Sequence, residues 1–154
     1  MAKAFGAVLI VCACGFIGWL FTFSHRRKWE FIAEWGRFNR LFMTELSAKR
    51  VPLPRFIEAY TAKNEFASLL TAYRSSYVVE SPPSFLKEEE KKVLVDYFSY
   101  LGTSDSSTQL SFLREKGNQL KDMENEAFSD YSKRLGLYPK LGILAGLFLV
   151  VLLI

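Results

Sequence analysis

The sequence predicts an all-α protein: an antiparallel helical bundle over residues 24–136, flanked by an N-terminal transmembrane helix (1–23) and a short C-terminal one (137–154). Three observations predict it. Residues 4–23 and 141–154 contain no charged side chain, while residues 24–140 hold 19 of the 20 Lys and Arg and all 16 Asp and Glu. Between the ends, apolar residues recur at helical three- and four-residue intervals rather than alternating as in a strand. Proline pairs and one Gly/Ser/Thr-rich stretch punctuate that pattern. A polar segment of this size makes one domain with a real core, not two. Two spans alone do not build a transport pathway.

The first apolar run, Ala4–Phe23, has 16 apolar residues of 20. As a helix it covers ~30 Å, the hydrocarbon thickness of a bilayer. A cleavable signal peptide has a shorter apolar core; this one continues through Trp19, Leu20 and Phe21 to a basic stop at Arg26, Arg27 and Lys28. Val11-Cys12-Ala13-Cys14 looks like a lipoprotein cleavage box, but the chain stays apolar after the cysteine instead of turning polar. Cys12 and Cys14 are the only cysteines, so the polar domain has no disulfide and tells nothing of redox compartment. A Cys-x-Cys in lipid is a poor metal site.

Residues 26–50 carry Phe31, Trp35, Phe38, Phe42 and Leu46 on one face, with Arg37 and Arg40 elsewhere. This helix continues out of the membrane and stops at Val51-Pro-Leu-Pro54, because proline breaks the hydrogen-bond ladder and restricts its predecessor. A second helix is predicted over 55–79, with Phe56, Tyr60, Phe66, Leu70, Tyr73 and Tyr77, ending at Ser81-Pro-Pro83. A third, over 84–101, carries Leu86, Val93, Tyr97 and Leu101. Gly102 then suits a helix C-cap, and Ser106-x-x-Gln109 fits a capping box. The last helix of the bundle presents Leu110, Leu113, Gly117, Leu120, Glu124, Ala127 and Tyr131 and reaches about residue 135.

The C-terminal apolar run, Leu141–Ile154, covers only ~21 Å as a helix. Pro139 suits the first turn of a new helix, and Lys140 can snorkel to the headgroups. Gly142 and Gly146 form a GxxxG, which lets helices approach closely in lipid. Gly6, Ile10, Cys14 and Gly18 form a second narrow stripe on the first segment. The two apolar helices are therefore expected to pack on each other or on other membrane subunits.

Charge orients the chain. Residues 24–55 carry a net charge of +5, residues 56–132 −5, and residues 133–140 +3. Arg26, Arg27, Lys28 and Lys140 sit where they would meet lipid headgroups, and the positive-inside rule puts the polar domain in the cytoplasm. The acidic middle is left to meet another protein. The pI near 9.1 comes from the membrane flanks, which disfavours nucleic-acid binding. The 14 Phe, 7 Tyr and 3 Trp, being at helical spacing, are expected mainly in the core.

No catalytic constellation stands out. The single histidine, His25, lies at the membrane border; no Cys/His cluster has zinc spacing, and no P-loop, GxGxxG or GxSxG occurs. Glu88-Glu-Glu90 followed by Lys91-Lys92 is a charged helical face, and helix capping explains Asp105. The expectation is a protein without enzymatic activity, without cofactor or metal, and without a small-molecule substrate.

The last third carries a resemblance. Leu101-Gly102-Thr-Ser-Asp105-Ser-Ser-Thr-Gln109, a long helix, and then Leu141-Gly142-Ile-Leu-Ala-Gly146 with its apolar tail resemble the stage III sporulation protein AB family of endospore-forming bacteria. That family shares an LG-x-x-D-x-x-x-Q turn and an LG-x-L-x-G tail, and Pro52-Leu53-Pro54 resembles its "PL" turn. The resemblance runs over roughly residues 4–154, most strongly over 100–154. It implies a bundle similar to the cytoplasmic domain of type II secretion F platform proteins. It also implies a place in the outer forespore membrane, in the mother-cell half of the channel joining mother cell to forespore. The cytoplasmic bundle would there dock the stage III sporulation protein AA ATPase, and the membrane helices would contact other channel subunits. The alternative is a holin-like protein that oligomerises into a pore by itself; two spans without polar lining residues argue against it.

Overall fold

In a computed structural model the chain is five α-helices, with no strand among the described residues. Residues 2–153 are described, excepting the side chains of residues 2–11, 18–22, 139, 149 and 152–153. The helices are α1 (Ala2–Lys49), α2 (Leu53–Ala59), α3 (Asn64–Ser76), α4 (Glu88–Tyr100) and α5 (Ser106–Leu153). They form two compact units. One is residues 28–126, and the other joins residues 1–27 to residues 127–154. Among the described residues, no helix is long and apolar enough to cross a membrane. The span expected at 1–23 falls mostly on side chains outside that set, the one expected at 137–154 only in small part.

The unit of residues 28–126 is built on the apolar face of α1. Phe31, Ile32, Trp35, Phe38 and Phe42 are fully buried, each worth about 1.5–3 kcal/mol for leaving water. Phe38 is the hub. Its ring lies 5.3 Å from Phe56, 5.2 Å from Tyr60, 5.6 Å from Phe66 and 6.1 Å from Phe98. It thereby ties α2, α3 and α4 to α1, and aromatic pairs at such spacing add about 0.5–1.5 kcal/mol beyond area burial. The expected aromatic core is present. The helices α1 and α5 run antiparallel, since Gly36 faces Glu124 while Asn39 faces Leu113.

Helix ends follow local chemistry. Helix α1 stops at Arg50, which takes left-handed φ of 50° and donates its N–H to Leu46 O at 3.2 Å. Pro52 is the N-cap of α2 in extended conformation. Helix α3 ends in left-handed Tyr77, which is why Tyr77 is half exposed although it falls on the predicted core stripe. Glu90 Oε2 accepts the Lys87 N–H at 2.8 Å at the start of α4, and three glutamates in that first turn suit its dipole.

Three expected boundaries differ. The single helix expected over 55–79 is two, because Tyr60 turns extended (φ −77°, ψ 122°). Its hydroxyl is held by Glu34 Oε1 at 2.8 Å, and the Arg37 guanidinium stands 5.9 Å over its ring. Helix α4 begins at Glu88 rather than 84. Pro82 and Pro83 hold an irregular stretch in which Leu86 N–H reaches Pro83 O at 3.2 Å. Its core face is Leu94, Tyr97 and Phe98 rather than Val93. The last helix does not stop near 135 and restart at Pro139; α5 runs unbroken to Leu153. A proline lacks one N–H, and the helix spans that single missing rung.

Candidate functional site

Two places gather the residues singled out in the sequence. The first is the turn between α4 and α5, within residues 28–126. Leu101 is buried and anchors it. Gly102 has φ of +79°, which side-chain-bearing residues rarely adopt. A Cβ there would also lie 3.3 Å from Leu53 Cδ2, so the turn is set against the start of α2. Asp105 caps α5. Its Oδ2 accepts the Ser107 N–H at 3.2 Å, the Thr108 N–H at 3.3 Å and the Ser107 hydroxyl. The Ser107 hydroxyl first, then the Thr108 side chain and the two amides, hold the Asp105 carboxyl at about 2.

The expected capping box from Ser106 to Gln109 is not formed; Asp105 occupies the cap one residue earlier. Gln109 is instead buried, with its N–H on Asp105 O at 2.9 Å. Its side-chain Nε2 is buried without a hydrogen-bond acceptor. The four motif residues thus do one mechanical job. They reverse the chain within a few residues and start α5.

The second place lies in the unit that joins the chain's two ends. A Cβ built on Gly142 would sit 2.7 Å from Cys14 O and 3.4 Å from Gly15 Cα. Only glycine allows α5 to approach the α1 backbone that closely there. Gly146, one turn on, is buried. Gly18 falls outside the residues whose side chains are described. Around the contact the pattern is inside-out. Small residues meet, while Phe16, Leu144, Phe148 and Val151 are 58, 64, 67 and 74% exposed.

The basic flanks are not equivalent. Arg26, Arg27 and Lys140 are exposed. Lys28, expected at the headgroups, is paired with Glu90 at 2.7 Å, and both side chains are only 12% exposed. Its charge is spent fastening α4 to α1.

Sequence reasoning missed two polar links. Asn39, 1% exposed, donates through Nδ2 to Leu113 O at 2.9 Å and accepts the Tyr97 hydroxyl at 2.9 Å. This node joins α1, α4 and α5. Burial raises the Tyr97 phenol well above its ordinary range. Glu34, also buried, receives Tyr60 and Arg37; burial, then this hydrogen bond, raises the Tyr60 phenol strongly. The available signal was position: Glu34 and Asn39 interrupt the apolar face of α1 between Phe31 and Phe42. Among the described residues, no three of His, Cys, Asp and Glu gather as metal ligands.

The molecule is thus an all-helical protein in which a polar, aromatic-cored body shares two long helices with a glycine-contacted pair of chain ends. The family model for stage III sporulation protein AB matches residues 57–154, a span that includes both the Leu101–Gln109 turn and the Gly142/Gly146 tail. The match covers well over half of the chain, which belongs to that family and therefore has a role in stage III of sporulation, alongside other stage III sporulation proteins. No curated protein and no solved structure matches the chain.

Proposed function

We propose that the chain is a non-enzymatic membrane adaptor of a secretion-like sporulation channel. Its terminal helices lie in the membrane, and its helical body in the mother-cell cytoplasm docks a secretion-type ATPase of the stage III sporulation protein AA kind. The observation that supports it best is the inside-out pairing of the chain ends. Gly142 meets the Cys14–Gly15 backbone while Leu144, Phe148 and Val151 point outward. Water penalises such a surface, and lipid tails solvate it; close packing of small residues is what holds helices together in lipid. Exposed Arg26, Arg27 and Lys140 beside these segments suit anionic headgroups on the cytoplasmic side.

The ATPase as partner rests on the family resemblance. The pore-forming alternative is less favoured, because the Gly142 face that would join copies of the chain is engaged within it. Crosslinking of the full chain in sporulating cells, followed by co-purification, tests the reading. Recovery of the ATPase with the membrane fraction supports it. An intact complex that forms without any contact between the two proteins sinks it, as would permeabilisation of liposomes by the chain alone.

A further inference from the structure

A cleft of about 710 Å³ opens between α1 and α2, within the unit of residues 28–126. One wall is a four-residue stripe along α1: Arg37, Leu41, Glu45 and Lys49. From Arg37 to Lys49 is twelve residues, ~18 Å of helix. The other wall is α2, which contributes Arg55, Phe56 and Ala59. Leu41 is 41% exposed, an apolar side chain left open on the cleft wall above buried Phe56. Arg37, Lys49 and Arg55 line the cleft with the single carboxylate of Glu45, in a domain whose residues 56–132 carry −5, and Arg37 is already paired with buried Glu34 at 3.3 Å. Arg55 is exposed and has no ion-pair partner among the described residues. Lys49 reaches only Glu45 on its own helix, at 3.2 Å and in the open, a pairing worth little. The wall is pre-set, because Tyr60 is hydrogen-bonded to Glu34 and lies under Arg37.

From this arrangement we infer that the α1–α2 cleft is a docking groove for an acidic amphipathic helix of a protein partner. Its length fits about three helical turns. Its apolar centre, with Leu41, Phe56 and Ala59, takes an apolar stripe, and Lys49 at one end and Arg55 across the groove take carboxylates on either side of that stripe. A headgroup phosphate fits less well. It would need several uncommitted cations, whereas Arg37 is paired with Glu34 and Lys49 stands against the Glu45 carboxylate at 3.2 Å. The docking face of the body is then its basic groove, not the acidic surface suggested by charge counting. The inference deepens the adaptor reading by naming where a partner seats.

The test uses the full chain in zwitterionic detergent. The probe is a fluorescent helix-forming peptide of about 14 residues, with leucines at i, i+4 and i+7 flanked by glutamates. Binding that weakens with salt is expected. Lys49→Glu with Arg55→Glu should weaken it at least tenfold and should restore binding to the same peptide carrying lysines for glutamates. Leu41→Asp should weaken both peptides. These side chains are exposed, so an unchanged melting midpoint shows that the variants fold. Equal affinity across the variants overturns the proposal. So does displacement of the peptide by short-chain phosphatidylglycerol as readily as by unlabelled peptide, which would make the groove a headgroup site. A change of oligomeric state in Lys49→Glu/Arg55→Glu would make it a contact between copies. No sporulation protein is present in this assay, so its failure leaves the co-purification test of the adaptor untouched.

Discussion

Gly117 is the space into which Asn39 reaches: a Cβ on Gly117 would lie 3.0 Å from Asn39 Nδ2, the atom that donates to Leu113 O. The glycine on the packed face of α5 lets a buried amide from α1 bridge two other helices. Helix propensity alone favours alanine at such a position by roughly 1 kcal/mol. Gly117→Ala is nevertheless expected to destabilise the chain, by about 1–2 kcal/mol, as the amide is pushed off its partners. In an Asn39→Ala background the same change should become neutral or stabilising. Chemical denaturation of the four-member cycle reads the sign change; additive effects would show that the two residues do not share the space.

Gly142 makes a sharper demand, because its neighbour is backbone and cannot rotate away. Gly142→Ala should cost about 1–3 kcal/mol from overpacking against Cys14. Gly136→Ala, in the same helix with nothing within 4 Å of the new Cβ, is the control and should be neutral or slightly stabilising. Thermal unfolding in detergent distinguishes them. Equal behaviour would mean that the two chain ends do not meet at Gly142.

At Gly102 the penalty is conformational. Its φ of +79° disfavours any side chain, and a Cβ also presses on Leu53. Gly102→Ala should lose about 1–2 kcal/mol, and Gly102→Asn should lose less of the conformational part, since asparagine visits left-handed φ more readily. A stability ranking with alanine above asparagine would contradict this.

Asp105 predicts an acid dependence. Its carboxyl sits at about 2 in the folded chain, against ~3.9 for an ordinary aspartate. A depressed folded-state value stabilises above the unfolded value and is lost as pH falls through the folded one. The cap's charge contribution is thus complete by about pH 5 and fades between ~4 and ~2. Asp105→Asn keeps an acceptor but no charge, so it should be less stable than the parent at pH 5 and approach it near pH 2. A gap independent of pH would remove the ionised cap from the account.

Much of this molecule follows from local pattern. The proline breaks, the spacing of Phe31, Trp35, Phe38 and Phe42, and the left-handed glycine at 102 all act within a few residues, so the helices and the aromatic core were legible in the chain. Glu34 and Asn39 were not. A polar residue on an apolar face reads as an interruption until its partners, Tyr60 in one case and Tyr97 with Leu113 in the other, arrive from 26 to 74 residues away. The same holds for Lys28, which composition assigns to lipid and folding assigns to Glu90.

Charge and hydropathy along the chain determined by themselves that this protein has two apolar ends and a polar helical body, because those properties belong to residues one at a time. Only the tertiary structure decided which glycines meet a neighbour, which basic residues remain open beside the α1–α2 cleft, and where the helix after Phe56 breaks. Each of these depends on what a second segment brings within about 4 Å, and contact at that range is a property of pairs.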